Sequence, residues 1–220
     1  LKSKPVVFTE RARQLAKDLA DESIVLLKND NVLPLRAGTT LLLDGRWTHC
    51  RDFLGCWQSS AYKKHVESLD EMLSRRNFSV KDANKLSENE KLAAAAECEY
   101  IILTLGENEN ESGEAASKAV LSLSEEDQKL VSLYKSCGKK IVALIFSGRP
   151  LLLEKLCEDV GAVLMCWFPG HGNEAVADIL TGEINPCAKI CVSFPRREGQ
   201  IPVYYNHLST GRSAHGRETE

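Results

Sequence analysis

Glu107, Glu109, Glu111 and Glu114 crowd one short segment, punctuated by Gly106 and Gly113. The segment lies between an apolar, strand-like run (Tyr100 to Leu105) and a helix-like run (Ser124 to Lys135). In α/β sheets the loops that leave the strands carry the working groups. Carboxyl groups on such a loop suit acid/base chemistry on a sugar bond, where one carboxyl gives the proton and another group must complete the reaction. A single acid is half of that mechanism. The competing reading of the same residues is a solvated, charge-rich loop.

Other constellations say less. Gly170-His171-Gly172-Asn173-Glu174-Ala175 fits the loose dinucleotide pattern GxGxxA, and a helix N-terminus after a glycine turn can hold phosphate. The acid that should follow about twenty residues later is absent, which favours a tight strand-to-helix turn. His171 stands alone as a ligand or base, and His49, His65, His207 and His215 show no HxH or HxxxH spacing, so no metal site is expected. Ser112 and Ser147 lack the GxSxG elbow of serine hydrolases. The eight cysteines contain no CxxC pair, which argues against a zinc ribbon. Cys98, Cys157 and Cys166 sit in or beside apolar segments and read as buried thiols, while Cys50 with Cys56, and Cys187 with Cys191, are close enough in sequence to pair across loops. Asn77-Phe78-Ser79 and Asn110-Glu111-Ser112 match the N-glycosylation acceptor pattern, informative only in a secretory context.

The acidic segment must be positioned by regular elements. Thr9 to Leu27 reads as an amphipathic helix with Ala12, Leu15, Ala16, Leu19, Ala20 and Ser23 near one face. A short strand follows at Thr40 to Leu43, then a Gly- and Trp-bearing loop (Asp44 to Ser60). Helices are expected over Lys63 to Arg76 and Glu88 to Glu97. From Tyr100 the pattern is regular: strand to Leu105, helix Ser124 to Lys135, strand Ile141 to Phe146, helix Leu151 to Cys157, strand Ala162 to Trp167, helix Asn173 to Leu180. A last run, Ile190 to Phe194, reads as a final strand. Continuous apolar strands alternating with helices predict a three-layer α/β/α sandwich with a mostly parallel sheet.

With 220 residues the chain can bury a sizeable core. A net charge of -3 gives no basic field for nucleic acid, and no apolar run approaches the roughly 20 residues that span a bilayer. No leader is legible, so localisation stays open. The polar stretches at both ends read as pieces of a longer polypeptide.

Several segments resemble, in order, one known family. Ala12 to Leu35 (ARQLAKDLADESIVLLKNDNVLPL) resembles the opening of the C-terminal α/β domain of glycoside hydrolase family 3, the β-glucosidase group. Ser112 to Val131 (SGEAASKAVLSLSEEDQKLV) resembles its acid-bearing loop and following helix. Gly138 to Leu153, Trp167 to Pro186 and Val192 to Arg212 resemble the next two strand-turn-helix units and the exit segment. Some positions depart from the family pattern: Lys118 stands where many relatives have Arg, and Cys187 and Cys191 where they have none.

The resemblance implies retaining hydrolysis of a β-linked glucoside or oligosaccharide, with no cofactor. It implies a site shared with an N-terminal (β/α)8 barrel that supplies the carboxylate nucleophile. In this family the two carboxyls stand about 5 Å apart. By motif position the acid/base is Glu114, with Glu111 as the fallback. Residues 1–8 would then be a linker from the barrel, 9–202 the sandwich domain and 203–220 an exit segment and tail. The chain alone is expected to be inactive. The alternative is a non-catalytic, stand-alone module that binds carbohydrate or protein. A nucleotide-binding, flavodoxin-like protein is a third class.

Overall fold

A computed structural model of the chain describes residues 9–51, 53–57, 66–206 and 208. Its strands are β1 (Val25–Asn29), β2 (Thr40–Asp44), β3 (Ser79–Asp82), β4 (Tyr100–Gly106), β5 (Lys140–Phe146) and β6 (Ala162–Met165). Its α-helices are α1 (Glu10–Asp21), α2 (Leu69–Ser74), α3 (Glu88–Ala96), α4 (Glu125–Lys135), α5 (Glu154–Asp159) and α6 (Glu174–Thr181). One sheet runs in the order β1-β6-β5-β4-β2-β3, parallel except for β1, which pairs antiparallel with β6.

Side-chain alternation along the strands sorts the core into two layers. Leu41, Leu43, Ile102, Val142, Leu144 and Leu164 share a cluster with Ala20 of α1, Leu69 and Met72 of α2, and Val176 and Leu180 of α6. Leu42, Ile101, Leu103, Ala143, Ile145 and Val163 share the other with Ala95 of α3, Val131 and Tyr134 of α4, and Leu156 of α5. Each Val, Leu, Ile or Met among them, fully buried, stabilises by about 1.5–3 kcal/mol. Every residue of β4 is buried, which is why it reads as an apolar run broken only by Thr104. The chain is therefore a three-layer α/β/α sandwich with a mostly parallel sheet.

The topology fixes where a ligand can approach. After β2 the chain passes to the α2 layer, and after β4 it passes to the α4 layer. Because β2 and β4 are neighbours, their exits diverge and leave a crevice at the C-terminal edge of the sheet, the usual ligand position in open α/β folds. Asp44, the last residue of β2, is buried there. It accepts from the Tyr134 hydroxyl (2.7 Å) and pairs with Lys91 Nζ (2.7 Å), fastening α3 and α4 to the strand. Burial and the Asp44 carboxylate push the Tyr134 hydroxyl well above its ordinary range.

Four expectations are corrected. The helix expected over Thr9 to Leu27 ends at Asp21, and after a turn at 22–24 the chain enters β1 at Val25. Val25 and Leu27 pack in one layer and Leu26 in the other, a period of two hidden within helix-like spacing. Within α1, Ala20 is buried, whereas Leu15 and Leu19 are 58% and 60% exposed. Of the helix expected over Lys63 to Arg76, residues 63–65 lie outside the described residues and 66–68 precede α2, which starts at a Ser68–Glu71 capping box. The helix expected at Leu151 starts at Glu154. Ile190 to Phe194 forms no strand, and Ile190 and Val192 remain exposed.

Candidate active site

Glu114 occupies the second position of a β-turn closed by the Ala116 N–H donating to Gly113 O (3.2 Å). Gly113 has φ 120° and Ala115 φ 60°. Only glycine fits the first of these, since a Cβ there would lie 2.4 Å from Cys56 Sγ. Ala115 has a Cβ and holds a left-handed conformation that costs about 1–2 kcal/mol. Such strain persists where the surroundings over-determine it. The Glu114 side chain is exposed, and among the described residues nothing hydrogen-bonds or ion-pairs with it.

The surroundings that hold this turn begin at the ends of β4 and β5. Gly106 pairs with Phe146 in register, so Glu107 and Ser147 leave the sheet side by side. Glu107 is only 2% exposed. Its Oε2 accepts from Ser112 Oγ (2.7 Å), Ser147 Oγ (2.7 Å) and Arg149 Nε (3.2 Å). Its Oε1 lies 3.2 Å from Lys118 Nζ and from Arg149 Nε but takes no well-aligned hydrogen bond, so these contacts act by charge. The Arg149 Nη2 donates to the carbonyls of Glu111 and, at 2.7 Å, of Ala116. One guanidinium therefore grips both ends of the 111–116 stretch and the buried carboxylate beneath it.

Glu111 is half-buried and engaged. Its Oε2 accepts from the Asn108 N–H (2.8 Å) and lies 3.4 Å from Arg46 Nη1, while its Oε1 accepts from Lys118 Nζ (3.2 Å). Burial pulls this carboxyl upward, but the Asn108 amide, Lys118 and Arg46 outweigh it and hold it below the usual carboxylate range. Held so, Glu111 keeps a negative charge and is a poor proton donor. The loop after β2 that carries Arg46 is anchored by Trp47, which stacks on Phe146 at 5.0 Å and on Phe53 at 5.4 Å between ring centroids.

The remaining sequence candidates stand elsewhere. At Gly172 a Cβ would lie 2.3 Å from Ala16 O, so the turn is glycine because α1 crosses it closely. In the first turn of α6, Glu174 pairs with Arg75 (2.5 Å) and Arg76 (2.9 Å), which follow α2. That supports the structural reading of the GxGxxA match. Cys98 and Cys166 are buried, and Cys157 is half-buried. Cys56, Cys187 and Cys191 carry free thiols, so neither candidate bridge is formed. His65, His207 and His215 lie outside the described residues.

The sequence model described as "Glycosyl hydrolase family 3 C-terminal domain" matches residues 24–219. The chain belongs to this family. It is 31% identical over 234 residues to a periplasmic β-glucosidase of Salmonella typhimurium, covering 91% of this chain and 31% of the relative. It is 30% identical over 218 residues to a β-xylosidase of Formosa agariphila, covering 90% and 30%. The crystal structure of the β-glucosidase from Listeria innocua in complex with isofagomine matches with a TM-score of 0.90 at 34% identity, covering 100% of this chain and 33% of that one. The complex of the same β-glucosidase with gluconolactone gives a TM-score of 0.89 at 34% identity, covering 97% and 31%. The chain thus spans about a third of the length of the relatives it matches.

Within this family 3 domain the sequence-predicted acids separate by environment. Glu114 is presented outward, Glu111 is held ionised, and Glu107 is buried as an anchor. The roles of Arg149 and Arg46 were not legible as site features. The usable signal for Arg149 was its place three residues beyond the buried end of a strand, opposite a loop of acids.

Proposed function

We propose that this chain is the acid/base-bearing part of a family 3 β-glycosidase acting on a β-linked glucoside or oligosaccharide, with Glu114 as the acid/base. The observation that carries this reading is the outward presentation of Glu114 on a strained turn, while Glu107 and Glu111 are consumed by cationic partners. The attacking carboxylate comes from a further domain, an N-terminal (β/α)8 barrel, that closes over the C-terminal edge of the sheet. A general acid working near neutral pH must keep its proton, which burial under a covering domain and a neighbouring carboxylate both favour.

The test uses the longer parent protein. Glu114→Gln is expected to lower kcat on alkyl or glycosyl β-glucosides by about 10²–10⁴-fold. It should spare kcat/KM on 2,4-dinitrophenyl β-glucoside, whose leaving group needs no proton, while kcat on that substrate falls because the same residue is the base that activates water in the second step. Glu111→Gln should show no such selectivity. Equal activity of Glu114→Gln and wild type on both substrates would overturn the assignment and favour the non-catalytic module.

A further inference from the structure

We propose that Arg149, seated by Glu107, is the positioning residue that sets where Glu114 delivers its proton; this rests on the acid/base reading above. The base of the assembly is rigid. Glu107 and Ser147 emerge from adjacent, fully buried strand ends, and the Glu107 N–H donates to Phe146 O at 2.8 Å. The turn itself is not self-supporting. It contains Gly113 and Ala115 at positive φ, and Glu114 has no partner among the described residues. The guanidinium bridges the two. Its Nε faces the buried Glu107 carboxylate at 3.2 Å, and its Nη2 reaches the carbonyls of Glu111 and Ala116, the latter at 2.7 Å.

Three acceptors in a fixed fork suit a planar guanidinium and not an ammonium, which is a point charge on a flexible stem. Ser112 closes the circuit. Its hydroxyl donates to Glu107 (2.7 Å) and accepts from the Gly148 N–H (3.1 Å), so the residue two before Glu114 is fixed to the same base. Glu107 is thus a buried anchor of the site. Its negative charge orients Arg149, and Arg149 in turn limits the travel of the turn. A misplacement of about 1 Å in a reacting group costs as much as ~10²-fold in rate.

The experiment compares Arg149→Lys, Glu107→Gln and Glu114→Gln in the full parent enzyme, each on an alkyl β-glucoside and on 2,4-dinitrophenyl β-glucoside, with thermal midpoints recorded. Arg149→Lys and Glu107→Gln are expected to lose about 10–10²-fold in kcat on the alkyl substrate, with KM little changed. Their kcat/KM should stay near wild type on the activated one, whose bond cleavage needs no proton. Should Arg149→Lys not fold, Ser112→Ala is expected to give the same selectivity in weaker form. Equal losses on both substrates would mean a merely structural role and overturn the proposal. So would full activity of Arg149→Lys and Glu107→Gln beside a selectively impaired Glu114→Gln, an outcome that leaves the acid/base reading intact. If Glu114→Gln itself shows no selectivity, the acid/base reading falls and the positioning role falls with it.

Discussion

Three glutamates within one loop differ only in what surrounds them. Glu107 meets two hydroxyls and a guanidinium, Glu111 meets an amide and two cations, and Glu114 meets solvent. Environment rather than residue type divides the labour, as in any site that runs acid and anion chemistry with the same functional group. His49 shows the same principle with a measurable consequence. Its Nδ1 lies 3.1 Å from Asp70 and its Nε2 2.9 Å from Asp82, so it clamps the loop after β2 to the start of α2 and the end of β3. Burial pulls the imidazole down, but Asp82 and Asp70 outweigh it and raise it above its ordinary range. A neutral ring donates one hydrogen bond, not two. A histidine raised on folding stabilises fully below its unfolded value of about 6.5, and the contribution disappears as pH rises through the folded value. Asp82 is depressed, so its share is present above about 3.9 and lost as pH falls through its lower folded value. The ring is 48% exposed, and the loss on the alkaline side should not exceed about 1 kcal/mol. Urea midpoints measured from about pH 5 to pH 9 should therefore fall on the alkaline side, and His49→Gln should flatten that fall. A wild-type curve already flat there would refute the clamp.

At the scale of elements, the regular half of the chain was legible because burial on both faces leaves little room for polar residues: β4, β5 and β6 are largely apolar runs bounded by turns. The edges were not. β3 is a short edge strand of exposed and half-buried residues, Ser79 to Asp82, without an apolar signal. β1 follows α1 so closely that its apolar residues continue the helical spacing, and only pairing with β6 makes it a strand. The acid loop was legible as a place and a motif, whereas the grip of Arg149 on it depends on two strand ends meeting in register, which no local pattern encodes. The glycine turn before α6 was read as structural, and its reason is tertiary: α1 lies against it. Lys17 of α1 also pairs with the buried Asp178 of α6 at 2.8 Å, so packing and charge hold α1 at one point. Gly172→Ala places a Cβ 2.6 Å from that of Ala20 and closer still to the Ala16 carbonyl. Such overpacking is expected to destabilise by about 1–3 kcal/mol in urea unfolding. Hydrogen exchange should quicken in α1 first, while amides of β4 and β5 stay protected. Uniform loss of protection across the sheet would show that α1 is not a separable layer.

At the scale of the molecule, folding competence and catalytic competence come apart. The sheet is covered on both faces by clusters of fully buried side chains, so the fold closes its own core without help. The site does not close. On the proposed reading Glu114 stands at the open end of the sheet, Glu107 and Glu111 are paired with Lys118, Arg149 and Arg46, and retention of configuration would need a second carboxyl about 5 Å from the first that is free to attack. Freeing Glu111 for attack would break its contacts with Lys118, Arg46 and the Asn108 amide, and freeing Glu107 would strip a buried carboxylate of its donors. For the buried Glu107, unpairing the charge costs about 3–5 kcal/mol. The 220-residue chain by itself is therefore expected to unfold cooperatively in urea yet leave 2,4-dinitrophenyl β-glucoside unhydrolysed above the buffer rate. An activated leaving group is the stringent choice, because it removes the need for the acid and leaves only the missing nucleophile as the barrier. Turnover by the isolated chain that survives Glu114→Gln but vanishes in Glu111→Gln would place an attacking group in this domain and reverse the division of labour between it and the rest of the parent.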